Sequence, residues 1–362
     1  MTLILTFLGK GGSGRTTTAV ALGKKLSQAG RRVLLLGQDS SAGLLLDTPL
    51  TETPREVEPK FQAVQLSFTH LLERGWEQIK SLEAQYLRSP TLKNVYGQEL
   101  GVLPGMDEAL TLNALREYQQ SGQYDVILYD GAGNLQTLRM LGAPEIASWY
   151  WRRFRQVLEG SEVVQTMAPF LQPIAGALLT VNWNLDSLSQ SPQNPEALIR
   201  DGKALLNDPQ RFGAYLVTPN DPASIALAQT YWGGAQQAGI TVRGVLQTPG
   251  GQGGSLGERF NPLPVSPLPP LENNNWDSLA AALPDVLSPV SAPLPLEIDL
   301  PNRQVKVFLP GFEKNQVKLT QYGPEVTIEA GDQRRNIDLP PGLRGQAVTG
   351  AKFQQGYLII SF

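Results

Sequence analysis

Two periods divide this chain. As far as Leu287 its apolar residues come in dense runs or at helical spacing, and beyond Pro295 they alternate with polar ones. Leu3-Ile4-Leu5-Thr6-Phe7-Leu8, Arg32-Val33-Leu34-Leu35-Leu36, Val126-Ile127-Leu128-Tyr129, Tyr215-Leu216-Val217 and Val242-Arg243-Gly244-Val245-Leu246 are near-continuous apolar runs. Such runs are the composition of strands buried on both faces of a parallel sheet. Helical patterns lie between them. Ala19, Val20, Leu22 and Leu26 follow the first run, a helical stretch extends from Ala143 to Phe212, Pro222 to Gln237 is a helix stopped by Gly239, and Trp276 to Leu287 is a last helix. Strands alternating with helices predict an α/β fold, a mostly parallel sheet with helices on both faces. Ser288 to Pro295, with prolines at 289, 293 and 295, reads as a stiff linker. After it Val305, Val307 and Leu309 alternate, as do Val317 and Leu319, Val326 and Ile328, Ile337 and Leu339, and Leu358 and Ile360. Turn signals at Pro310-Gly311, Tyr322-Gly323-Pro324 and Gly331-Asp332 separate them, which predicts a small all-β sandwich. The expected division is 1–287, with a helical subdomain at 143–212, then a linker at 288–295 and a β-domain at 296–362.

The chemistry concentrates where the apolar runs end. Residues 9–18, Gly-Lys-Gly-Gly-Ser-Gly-Arg-Thr-Thr-Thr, join the first strand to the first helix. In that order of strand, glycine-rich loop and helix, backbone N–H groups and a helix N-terminus surround phosphate oxygens. Glycines at 11, 12 and 14 are placed to adopt positive φ and bring the backbone against a phosphate; the plainer alternative is a glycine-rich turn that binds nothing. The usual pattern ends Gly-Lys-Thr, and here Arg15 replaces that lysine while a second cation, Lys10, stands near the start of the loop. The second run ends Gly37-Gln38-Asp39 and the third ends Asp130-Gly131-Ala132-Gly133. A strand-terminal Asp39 could equally cap the segment after it.

With Leu103-Pro104-Gly105-Met106-Asp107-Glu108-Ala109 and Asn134-Leu135-Gln136-Thr137-Leu138-Arg139, these motifs resemble, in order and position, the ArsA-type ATPases. That family includes the arsenite-pump ATPase and the tail-anchored-protein targeting ATPase. The resemblance covers residues 1–287 and implies a homodimer that closes around ATP and Mg²⁺. It implies that Gly11, Gly12, Ser13, Gly14, Arg15, Thr16 and Thr17 bind the nucleotide, with Lys10 reaching across the dimer and Lys10 and Arg15 neutralising phosphate. Thr16 would bind Mg²⁺ with Asp130 behind it through water, and Asp39 would orient or deprotonate the attacking water. Ser40 and Ser41 stand where the family has Pro-Ala, and Gly131, Gly133 and Gln136 fall in its second switch, with Gln136 in place of a histidine. Gln247 is the nearest equivalent of the asparagine that reads adenine, while Leu268 and Pro269 fall in the strand and loop beside the base. Leu309 to Leu319 and Gly356 to Ile360 resemble the α-crystallin domain of small heat-shock proteins, read here as a docked accessory or client-contacting module. The combination is similar to the cysteine-less branch of the targeting ATPases of cyanobacteria and plastids.

Composition narrows the partners. A formal net charge of −3 over 362 residues leaves no electrostatic footprint for nucleic acid. There is no cysteine, so disulfides, thiol chemistry, a Cys-x-x-Cys zinc clasp and cysteine-held iron–sulfur clusters are excluded. Soft As(III) wants thiolates, which disfavours metalloid transport. The apolar N-terminus lacks a basic leader, and Met167 to Val181 is broken by Pro169, Gln172 and Pro173. No integral membrane span and a cytoplasmic location are therefore expected. Trp149, Trp151, Phe154, Met167, Phe170 and Leu171 are candidates for contacting a hydrophobic client, the alternative being that they pack the helical layer onto the sheet. Asn184 to Asn194 reads as a connection within that layer. The expected function is a nucleotide-gated dimeric ATPase handling hydrophobic protein segments. A nucleotide-binding scaffold or sensor with little hydrolysis is the main alternative, favoured by Arg15 and the altered switches, and an anion or metalloid transport ATPase is the less favoured one.

Overall fold

The computed structural model describes residues 1–86, 94–160, 195–251, 256–331 and 333–362. Eight strands form the larger sheet: β1 (Leu3–Leu8), β2 (Val33–Gly37), β3 (Arg55–Glu58), β4 (Phe61–Gln65), β5 (Val126–Asp130), β6 (Phe212–Pro219), β7 (Val242–Thr248) and β8 (Val265–Pro267). Their spatial order is β3-β4-β2-β5-β1-β6-β7-β8, with every neighbour pair parallel except the edge hairpin β3–β4. The continuous apolar runs have a simple origin, since alternate residues supply two different cores. Leu3, Leu5 and Phe7 join Val33, Leu35, Val126 and Leu128 beneath α1 (Arg15–Gln28) and α10 (Trp276–Ala282). Ile4, Leu8, Leu34, Leu36, Ile127 and Tyr129 face the other way, toward α4 (Met106–Gln120), α5 (Leu135–Leu141) and α8 (Pro222–Gln237).

The remaining helices are α2 (Ser41–Leu45), α3 (Phe68–Tyr86), α6 (Ala143–Gly160), α7 (Pro195–Asn207) and α9 (Leu256–Arg259). Two sequence expectations change here. The last helix ends at Ala282 rather than Leu287, because Leu283 is extended (ψ 144°) ahead of Pro284, whose ring excludes helical geometry from the residue before it. Over 143–212 the structure has α6 and α7, but Phe212 already opens β6. Met167, Phe170, Leu171 and the Asn184–Asn194 connection lie outside the described residues.

The C-terminal strands make two antiparallel sheets. One has the order β14-β15-β10-β9 and the other β11-β12-β13. The strands are β9 (Leu296–Asp299), β10 (Gln304–Phe308), β11 (Val317–Tyr322), β12 (Glu325–Ala330), β13 (Gln333–Asp338), β14 (Gly350–Gln354) and β15 (Tyr357–Ser361). Val305, Val307, Leu309, Val326, Ile328, Ile337, Leu358 and Ile360 fill the space between the sheets, which is the inward half of the alternation in the sequence. The edge strands β9 and β14 have no such signature, and β14 is mostly exposed.

This sandwich is seated on the α/β unit through α8 and α6. Trp232 of α8 lies 6.0 Å from Phe260 and 5.6 Å from Phe308, and Phe308 lies 4.7 Å from Tyr357. A Cβ on Gly233 would sit 2.5 Å from the Phe312 ring and 2.7 Å from the Pro310 oxygen, so the helix and the β-domain meet at a distance only glycine permits. Arg335, buried, donates from Nη1 to the carbonyls of Gln236 (3.0 Å) and Pro295 (3.3 Å). Arg152 of α6 pairs with Glu325 at 2.8 Å. We expect Trp232→Ala to cost about 3–5 kcal/mol and Arg152→Ala under about 1 kcal/mol, because that pair keeps contact with water. Shifts of the urea midpoint measure both, and equal effects would mean that the aromatic contact does not hold the domains together.

Candidate functional site

β1 lies between β5 and β6, and the connections leaving β1 and β6 run to opposite sides of the sheet. A crevice forms at the carboxyl ends of strands where the order reverses in this way. Residues 9–14 turn the chain there from β1 into α1. Gly12 (φ 79°) and Gly14 (φ 89°) take the left-handed conformation expected of them, which costs other L-residues about 1 kcal/mol or more. Gly11 does not, so the loop bends at two of the three glycines anticipated. Gly14 is the N-cap of α1 and gives no side-chain cap, and the first turn carries no acidic residue. The partial positive charge of the helix N-terminus is thus left for something else. Ser13 Oγ is buried with no hydrogen-bond partner from the chain, Thr17 sits half-buried in the first turn, and Lys10 is exposed beside the loop.

The loop's backbone is tied to the segment after β5. Gly9 N–H donates to Gly133 O at 3.0 Å, and Arg15 Nη1 donates to Gly131 O at 2.7 Å. Gly133 (φ 60°) has no room for a side chain, since a Cβ there would overlap Arg15 Nη1 and the Phe7 oxygen. Gln38 closes the same segment from the other side, accepting the Ala132 N–H at 2.8 Å. Tyr129 packs its buried ring directly under Gly131, with its hydroxyl unpartnered. Farther along, Asn134 caps α5 by accepting from Gln136 and Thr137 N–H at 3.0 and 3.2 Å. The Gln136 amide hydrogen-bonds Glu108 at the start of α4. Gln38, Tyr129 and Glu108 were not singled out from sequence. The one hint was that Gln38 adjoins Asp39 and that Glu108 lies in a motif already noticed.

The two strand-end carboxylates differ sharply. Asp130 is buried, and burial pushes its pKa up from 3.8 to about 6, against a hydrogen bond from Thr16 and the charge of Arg15, with the Asp39 charge adding to the rise. Thr16, Asp130, Arg15 and Asp39 are therefore brought together. Asp39 is exposed two residues beyond β2, and its Oδ1 accepts the Ser41 N–H at 2.8 Å, while Ser40, at the N-cap position of α2, makes no side-chain cap. The capping role weighed from sequence is thus present alongside the site. On the far side Asp221 caps α8 through Ser224 N–H at 3.0 Å; that bond first, and the charge of Lys10 to a smaller degree, hold it below the usual carboxylate range.

The end of β7 comes up against the loop. A Cβ on Gly14 would lie 3.2 Å from Thr248 Cγ2, so Gln247 is near the loop, and its carbonyl accepts from Leu268 N–H at 2.7 Å, which draws buried Leu268 and half-buried Pro269 alongside. Of the client candidates, Trp149 and Trp151 are half-buried on α6, and the Trp151 indole N–H has no hydrogen-bond partner. Tyr150 and Ile146 are exposed on the same helix. Phe154 belongs to α6, its side chain outside the described residues.

These residues fit a phosphorylated ligand. Two left-handed glycines, an uncapped helix N-terminus, an orphaned serine hydroxyl and two cations lie together on the short stretch 10–15, the kind of group an anion requires. Thr16 and Asp130 offer the oxygen donors that a hard divalent cation takes. No group of three or more His, Cys, Asp or Glu among the described residues could hold a metal unaided, so such an ion would share its coordination with ligand oxygens or water. No helix among the described residues is long and apolar enough to cross a membrane.

A model of the ArsA family of anion-transporting ATPases matches residues 2–246, and a model of the HSP20-like domain found in ArsA matches residues 302–362. The chain is 25% identical to a Chlorobaculum tepidum protein that carries the provisional name arsenical pump-driving ATPase, over 99% of this chain and 95% of that one. A Streptomyces coelicolor protein of uncharacterised function is 27% identical over 100% and 97% of the two chains. A Paramecium tetraurelia protein named as an ASNA1 ATPase homologue is 24% identical over 38% and 42%.

The buried Asp130 makes a pH prediction. Its folded pKa, about 6, exceeds its ordinary 3.8, so the folded state binds more protons between those values. The stabilising contribution of the protonated form is complete below pH 4 and lost as pH rises through 6, at most about 3 kcal/mol. Asp130→Asn should abolish this part of the fall when urea stability of the ligand-free protein is measured from pH 4 to pH 7. Parallel curves for the two proteins would place the Asp130 pKa near its ordinary value.

Proposed function

The chain belongs to the ArsA family of anion-transporting ATPases, and we propose that it is a dimeric Mg-ATP hydrolase whose nucleotide state governs the holding of hydrophobic protein segments. One observation carries the nucleotide part: the glycine loop between β1 and α1 is bent at Gly12 and Gly14, with Thr16 beside the buried Asp130 at its mouth. Gly11 to Thr17 would surround the phosphates, with Arg15 and Lys10 supplying positive charge. Thr16, and Asp130 through water, would hold Mg²⁺, which supplies charge neutralisation of the phosphoryl oxygens. Asp39, exposed beyond β2, would align a water for in-line attack, and Gln247, Leu268 and Pro269 would line the base. Ser40, Ser41, Gly131, Gly133 and Gln136 belong to the two segments that would respond to the γ-phosphate. Positioning and electrostatics would then supply most of the rate.

Dimerisation is part of the same reading. Lys10 is exposed at the loop's mouth, where a second subunit excluding water would strengthen its attraction to phosphate. With no cysteine in the chain, a dimer would be held by protein surface and nucleotide, with no thiolate zinc or iron–sulfur site, and soft metalloids would find no thiolate. Exposed Ile146 and Tyr150 on α6 support a surface for an apolar client; half-buried Trp149 and Trp151 support the packing role. We place the protein in the cytoplasm, with no role for nucleic acid. A second reading, a nucleotide sensor with slow turnover, is favoured by one contact: Arg15, in the place of a P-loop lysine, is engaged with Gly131 O.

Mg-nucleotide at a hundred times its Kd should stabilise the protein by about 2.7 kcal/mol, read as a rise in melting temperature, and no shift with ADP or a nonhydrolysable ATP analogue would end the nucleotide reading. Asp39→Asn should remove turnover while leaving nucleotide affinity within a few-fold of wild type. Mixed with Lys10→Ala subunits, it should regain activity, because a mixed dimer carries both lesions on one site and leaves the other whole. Unchanged turnover in Asp39→Asn, or no recovery despite subunit exchange, would remove the role given to Asp39 or the trans action of Lys10.

A further inference from the structure

The contacts of Arg15 go further than a like-for-like replacement of lysine. The side chain leaves the first position of α1 and sends Nη1 to Gly131 O at 2.7 Å. Its Cδ would lie 2.9 Å from a Cβ on Gly133, so the guanidinium fills a notch that this glycine leaves in the segment after β5. The same three-residue segment is held by Gly9 N–H at Gly133 O and by Gln38 at Ala132 N–H. Arg15 is the side chain that connects the phosphate loop to it, and its charge also favours ionised Asp130 next door. A guanidinium is a rigid planar fork with five N–H donors, of which the bond to Gly131 uses one.

We propose that Arg15 is a bridging residue: one arm of its guanidinium holds the Gly131 carbonyl while the same fork presents other donors to a phosphoryl oxygen in the loop. The position of residues 131–133, and through Asn134 the start of α5, is then set by the side chain that meets the phosphate. A lysine also has three donors, but all on one nitrogen, so it can serve both acceptors only where they lie within reach of a single point, whereas the guanidinium spreads its donors over three nitrogens in a fixed fork. The inference rests on the nucleotide reading of the loop and assigns Arg15 to positioning rather than bond breaking.

Two substitutions in the full chain separate its two jobs. Arg15→Lys keeps the charge and loses the fork; Arg15→Gln shortens the side chain and loses the charge. Calorimetry with Mg-ADP and with a nonhydrolysable ATP analogue gives affinity, and amide hydrogen exchange over residues 131–139 gives the state of the segment. Arg15→Lys should bind nucleotide within a few-fold of wild type, yet exchange roughly tenfold faster over 131–139 and lose the nucleotide-dependent change there. Arg15→Gln, whose amide ends two bonds short of Nη1 and carries no charge, should lose both, exchanging faster over 131–139 and binding nucleotide roughly tenfold more weakly. Wild-type exchange and response in Arg15→Lys, with nucleotide bound, would overturn the bridge and leave the ATPase reading intact. A wild-type protein that binds neither nucleotide would overturn both.

Discussion

β1 has no face toward water. It hydrogen-bonds to β5 on one side and β6 on the other, and its side chains enter both cores. A strand so enclosed cannot carry polar chemistry along its length, and the chain can become polar only where it leaves the sheet. β2, β5, β6 and β7 run parallel to it in one sheet, so their carboxyl ends reach the same rim. The loop at 9–14, Asp39, Asp130 and Gln247, far apart in sequence, are adjacent for that reason alone. That these polar residues meet at one rim is a consequence of parallel pairing and double-sided burial.

At that rim the energetics of charge decide which residue can do what. Asp130 is the last residue of β5 and shares the strand's burial; its ionised form is unfavourable until Thr16, Arg15 or a cation compensates it. Asp39 lies two residues past the end of β2 and keeps its contact with water. The same side chain at two depths thus has two characters, a carboxylate suited to cation coordination and one suited to contact with a water molecule. Arg15 could have been spent on Asp130 alone. It bonds Gly131 O instead, which places a permanent positive charge within reach of the buried carboxylate without closing an ion pair that a ligand would have to break.

Legibility in the sequence followed the range of the interaction. The glycine loop, the strand-end aspartates and the alternation of the β-domain are local patterns, and they stood out because backbone sterics and side-chain periodicity act over a few residues. The partners were hidden. Gly131 lies 116 residues from Arg15, and Ala132 lies 94 from Gln38; nothing in either neighbourhood marks the other. Where local reasoning failed, the cause was specific. Pro284 shortened a helix whose apolar pattern continued past it, and β9 and β14 bury too little for a period of two to be written into them.

The way the β-domain is attached constrains any motion at the site. It does not hang from residues 288–295 alone: Val290 packs against the core of the α/β unit, and Arg335 joins the Pro295 carbonyl to that of Gln236 in α8. Asp221, which caps the start of α8, feels the charge of Lys10. In the last turn of α8, Gly234 leaves only enough space for Leu135 and Leu138 of α5, the helix that follows the segment Arg15 holds. At Trp232 and Gly233 it carries the aromatic contact with the β-domain. Packed interiors transmit displacement because they have little free volume to absorb it. A shift of α5 large enough to move Leu138 must therefore be taken up by α8, and a rigid α8 passes it to the sandwich. The β-domain is thus mechanically continuous with the loop at 9–14, along a path in which each step is a close contact.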